Sequence, residues 1–100
     1  MNSTIVFQHI KEALYSQRAF LTLEEISLHS NSGVEYAAGI LYAQSLGFKI
    51  YGKIPTWILK LTKSPQNVHP QLISRVRELL KEVSITLTEN GELILENQHD

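Results

Sequence analysis

Apolar positions recur at helical spacing from the start of the chain. Val6, Ile10, Ala13 and Leu14 predict a helix over about Thr4 to Gln17, with Ser3 placed to cap it. A second, short helix is announced by Thr22-Leu23-Glu24-Glu25. In such a capping box the threonine hydroxyl accepts from the Glu25 N–H and the carboxylate accepts from the Thr22 N–H. Leu21 can staple to Ile26, and the helix ends near His29, where Ser30-Asn31-Ser32-Gly33 is turn chemistry. Ser32-Gly33-Val34-Glu35 reads as another box and opens a third helix. Gly47 can end that helix in the left-handed conformation, with Phe48 packing back.

The period then changes to two. Phe48 and Ile50 alternate with Lys49 and Tyr51, and Trp57, Leu59 and Leu61 alternate with Ile58 and Lys60. With Gly52 to Pro55 as the loop, this predicts a hairpin. Phe48, Ile50, Trp57, Leu59 and Leu61 would share its inner face. The outer face would carry Lys49, Tyr51, Thr56, Ile58 and Lys60. A fourth helix begins at Pro70, with Leu72, Val76, Leu79, Leu80 and Val83 as its stripe. A second hairpin follows. A three-residue loop Glu89-Asn90-Gly91, bulged at the glycine, pairs Leu87 with Leu93 and Ile85 with Leu95 and makes one apolar face.

These elements give an α+β fold in a single domain over residues 1–100. It has three N-terminal helices and a hairpin, then a fourth helix and a C-terminal β-hairpin. The order over residues 4–61 resembles the winged helix-turn-helix superfamily, with Thr22 to Leu46 as the helix-turn-helix and Phe48 to Leu61 as the wing. The resemblance implies a third helix directed at a DNA major groove and a wing touching phosphates. The same fold also serves as a protein-interaction module. One departure stands out: between Gly33 and Leu46 the only charge is Glu35, whereas base readout calls for Arg, Lys, Asn or Gln.

Charge changes the picture most. The 100 residues sum to −1, yet no Asp or Glu occurs from Tyr36 to Arg77. The formal charge is about −2 over residues 1–35, +6 over 36–77 and −5 over 78–100. A clustered positive surface favours polyanions. The expected nucleic-acid-binding set is therefore Lys49, Tyr51, Lys53, Lys60 and Lys63 on the wing, Ser30, Asn31 and Tyr36 at the turn, and Arg75 and Arg77 on the fourth helix. Two readings compete for these residues. Lysines on a hairpin also discourage edge aggregation, and Ser32 is explained by capping alone.

The third helix carries an apolar stripe on each side. Val34, Ala37, Ala38, Leu41 and Ser45 form one, and Tyr36, Gly39, Ile40 and Ala43 the other. The second stripe is a candidate partner or homodimer interface, unless the fourth helix or terminal hairpin covers it. The reading is thus a small DNA-binding protein, a dimeric transcriptional regulator contacting double-stranded DNA through a basic wing. The alternative is a protein-interaction module with little DNA binding.

Catalysis is not expected. There is no cysteine, no phosphate-binding Gly-rich loop and no His-Glu-x-x-His spacing. His9, His29, His69 and His99 are scattered and read as surface or capping residues. Trp57 reads as core. No cofactor or metal is implied. The N-terminus lacks secretory character and the apolar stretch from Tyr36 to Phe48 is too short for a bilayer, so no membrane partner and a cytoplasmic location are expected.

Overall fold

The computed structural model describes residues 4–96 and builds them around one central helix. Helix α1 (Ile5–Tyr15) leads through strand β1 (Phe20–Thr22) into α2 (Leu23–Leu28) and α3 (Gly33–Ser45). Strand β2 (Lys49–Tyr51), α4 (Thr56–Lys63), α5 (Pro70–Leu80), β3 (Ile85–Leu87) and β4 (Leu93–Leu95) follow. Single 3-10 turns lie at Pro65–Asn67 and Lys81–Val83. The α+β class stands, with five α-helices and two two-stranded sheets among the described residues.

Helix α3 is the centre because it is apolar all round. Every residue from Ala37 to Ala43 is buried, and the helix packs chiefly against α5 and α1, with α2, β2 and β4 completing its surroundings. Gly39 faces both α1 and α2. A Cβ there would lie 2.8 Å from Val6 Cγ2 and 3.2 Å from Ile26 Cγ2. The stripe expected at a dimer surface is therefore corrected: Gly39, Ile40 and Ala43 are core, and Tyr36 is half-buried. The small residues admit the neighbouring helices of the same chain.

The second hairpin follows the bulged register, with Ile85 opposite Leu95, Thr86 opposite Ile94 and Leu87 opposite Leu93. The capping box at Thr22 is complete, and α3 ends in a Schellman turn. There Phe48 N–H donates to Ala43 O and Gly47 N–H to Gln44 O, with Gly47 at φ +90°. At Ser32 only half the expected box forms. The hydroxyl accepts from Glu35 N–H, but the Glu35 carboxylate accepts from Asn31 N–H instead of Ser32. Pro70 does open α5, whose buried line is Ile73, Val76 and Leu80, while Leu72 and Leu79 are half-buried. Ser3, expected as the cap of α1, lies outside the described residues, as does His99.

The hairpin expected over residues 48–61 does not form. Strand β2 pairs in parallel with β1, setting Phe20 against Lys49, Leu21 against Ile50 and Thr22 against Tyr51. Residues 56–63 are helical. The segment carries both periods. Trp57, Leu59 and Leu61 alternate, but Ile54, Ile58 and Leu61 recur at helical spacing, and Ile58 and Leu61 are the side chains the core buries. A parallel neighbour, delivered by the α2–α3 crossover, takes the place of a local antiparallel one. In the sequence, residues 20–22 signal only the Leu21 staple and the Thr22 cap of α2.

Candidate nucleic-acid interface

The loss of the wing rearranges the basic residues. On the small parallel sheet, Leu21 and Ile50 face inward. Phe20, Thr22, Lys49 and Tyr51 share the outer face, as the in-register pairing requires. Lys53 follows in the loop to α4, exposed. On α4, Thr56, Lys60 and Lys63 are exposed at i, i+4 and i+7 and so form one stripe opposite Ile58 and Leu61. Lys60 and Lys63 also sit in the last turn, where the helix dipole favours positive charge. The ion pairs among the described residues are His9–Glu25, Arg18–Glu25 and Lys81–Glu78, so Lys49, Lys53, Lys60 and Lys63 have no acidic partner there.

The other residues expected at this surface are placed elsewhere. Arg77 is tied down, its Nε donating to Leu87 O (2.8 Å) and its Nη2 to Thr88 O (3.0 Å), which binds α5 to the second hairpin. Arg75 is exposed beside a groove of about 650 Å³ that also holds Glu35, Glu78 and Glu82. Those carboxylates make a poor phosphate site. Ser30 donates to Ile26 O (2.7 Å) and closes the end of α2. Asn31 is exposed at the turn. Burial raises the Tyr36 hydroxyl above the ordinary tyrosine range. Trp57 is half-buried, with its ring edge 3.9 Å from where a Cβ on Gly33 would be, so it packs at the start of α3.

A cluster that sequence reading missed lies beside β1. Glu25 accepts from Arg18 Nη1 and Nη2 (both 2.8 Å) and from Thr22 N–H (2.8 Å), and it pairs with His9 Nε2 (2.7 Å). The Arg18 guanidinium above all, with the Thr22 N–H and His9 behind it, lowers the Glu25 carboxyl to about 2 against the opposing effect of burial. Arg18 Nη2 also donates to Phe20 O (3.0 Å), and His9 stacks on His29 with ring centroids 4.0 Å apart. The capping box was the visible trace of this cluster. The histidines and Arg18 come from segments that only folding brings together. The cluster is structural, since Glu25 joins α1, the α1–β1 connection and α2.

Phe20 was also missed. Its ring stacks on Tyr51, centroids 4.7 Å apart and planes at 27°, and both remain open to solvent at 40% and 54%. Among the described residues no group of three or more His, Asp or Glu is placed to hold a metal ion, and no helix is long and apolar enough to cross a membrane. No protein-family model, curated protein or solved structure matches the chain.

Proposed function

We propose that this chain is a nucleic-acid-binding domain that engages DNA by neutralising phosphates with Lys49, Lys53, Lys60 and Lys63. The observation that carries the reading is the freedom of these four exposed lysines. They lie within one segment devoid of acidic residues, on adjoining elements, and none is engaged by a carboxylate among the described residues. Such contacts position a polyanion without reading its sequence. The order of α1, α2 and α3 still resembles a helix-turn-helix. Helix α3, however, is enclosed by its own chain and offers little surface to a major groove, so affinity in this reading comes from β2, its following loop and α4.

The test is fluorescence anisotropy with a mixed-sequence duplex across a salt series. Four phosphate contacts predict a log–log salt slope of roughly −3 to −4. The triple substitution Lys53→Glu, Lys60→Glu, Lys63→Glu should weaken binding at least ~10-fold and flatten that slope, with an unchanged circular dichroism spectrum. Equal affinity in the wild type and the triple variant would refute the proposal.

A further inference from the structure

The outer face of the β1–β2 sheet combines two exposed rings with a free cation. Phe20 and Tyr51 stack on each other and remain 40% and 54% exposed. Lys49 stands on the same face, directly opposite Phe20 in the register, and Lys53 follows two residues after Tyr51. A hollow of about 400 Å³ adjoins them, bordered by Leu14, Phe20, Gly47, Lys49 and Tyr51, within the ordinary range of small-ligand sites of roughly 300–1,000 Å³. Gly47 leaves its side open, for a Cβ there would meet nothing within 4 Å.

The platform is braced by Arg18, which itself borders the hollow. Arg18 holds the Phe20 carbonyl and lies over the Phe20 ring, Cζ 5.9 Å from the centroid, while its charge is matched by Glu25. The Arg18 charge is thus taken up by Glu25, whereas Lys49 has no acidic partner among the described residues. An apolar partner would gain little from a patch so small and flanked by lysines. A planar ring carrying a phosphate matches both of its features.

We infer that the Phe20–Tyr51 pair is a stacking platform for an unpaired nucleobase, so that the preferred ligand is single-stranded nucleic acid with Lys49 and Lys53 on the flanking phosphates. This rests on the phosphate-binding reading above and deepens it. In a duplex the base faces are already covered by their neighbours, so only a single strand, a loop or an end can present one to Tyr51. Base–aromatic stacking is sequence-tolerant, because every base has a ring face.

The experiment compares a labelled mixed-sequence 16-nucleotide strand with the duplex of the same sequence, by anisotropy at fixed salt, using the full chain. The wild type should bind the single strand about 10-fold more tightly than the duplex. Tyr51→Leu keeps an apolar side chain over Phe20 and should abolish that preference, bringing single-strand affinity down to that for the duplex. Tyr51→Phe should retain it. Equal wild-type affinity for the two forms, with no effect of Tyr51→Leu, would overturn the stacking platform and leave the phosphate reading standing. Absence of binding to either form would overturn both. Sedimentation showing a dimer that Tyr51→Leu dissociates would also overturn it, because a second copy would then occupy the face.

Discussion

Arg18 grips Glu25 with two hydrogen bonds of 2.8 Å, and the same guanidinium reaches the backbone carbonyl of Phe20. One side chain thereby links the N-terminal end of α2 to the first strand and to the ring that strand displays. The capping box at Thr22 and the placement of Phe20 are for this reason parts of one arrangement.

The Glu25 carboxyl is held at about 2, below its ordinary 4.5, so folding binds the ionised form preferentially. A depressed carboxyl contributes stability that is fully present above its unfolded value and is lost as pH falls through the folded one. Urea unfolding should therefore show a loss of stability between about pH 5 and pH 2. Glu25→Gln should flatten that dependence and lower stability near neutrality by about 2 kcal/mol, because Arg18 and the Thr22 N–H lose a charged acceptor. An unaltered pH profile in the variant would contradict the assignment.

Gln17 ends α1 in the left-handed region, φ +61°, with Arg18 N–H donating to Ala13 O in a Schellman turn. A side chain is strained in that conformation and glycine is not. Gln17→Gly should raise stability by about 0.5–1 kcal/mol, visible as a higher denaturation midpoint at unchanged m-value.

Gly91, φ +89°, lies where the second hairpin turns against the end of α4, and a Cβ there would stand 2.1 Å from the Thr62 carbonyl oxygen. Backbone cannot yield as a flexible side chain can. Gly91→Ala should destabilise by about 2–3 kcal/mol, combining the strained dihedral with the overlap. Hydrogen exchange should show the damage at β3, β4 and the last turn of α4. Thermal unfolding like that of the wild type would show that the hairpin does not pack on α4 this closely.

Gly39→Leu separates internal packing from self-association. The side chain would enter the space held by Val6 and Ile26, so the expected result is a fold weakened by at least ~2 kcal/mol at every protein concentration. A normal unfolding midpoint with a changed oligomeric state would instead place Gly39 at a surface between subunits.

Arg77 donates to Leu87 O and Thr88 O and forms a polar link between α5 and the second hairpin. Arg77→Met preserves much of the packing and removes both bonds. The expected loss is about 1–3 kcal/mol, with faster amide exchange in β3 and β4 and no change in nucleic-acid affinity. A selective loss of affinity would return Arg77 to the binding surface.

Local chemistry in the sequence settled the features whose partners lie a few residues away. The box from Thr22 to Glu25, the left-handed stop at Gly47, the proline start of α5 and the bulge at Gly91 each close hydrogen bonds within one turn. Residue type and spacing suffice for those. The alternation of Ile85 and Leu87 with Leu93 likewise left one register that buries an apolar face. The clustering of lysines in an acid-free segment was equally legible, because charge is additive along the chain.

What the tertiary structure decided concerns residues with two local solutions or with distant partners. Trp57 to Leu61 satisfy both a strand and a helical period. The helix won because β1 supplied β2 with a parallel neighbour and the core took Ile58 and Leu61. Both apolar sides of α3 announced burial, but only the arrival of α1, α2 and α5 determined that the chain itself covers Gly39, Ile40 and Ala43. Phe20 meets Tyr51, and Arg18 and His9 meet Glu25, across loops whose closure no local pattern encodes. The lysines were thus visible in advance, whereas the ring pair beside them came into being only when two distant three-residue strands paired.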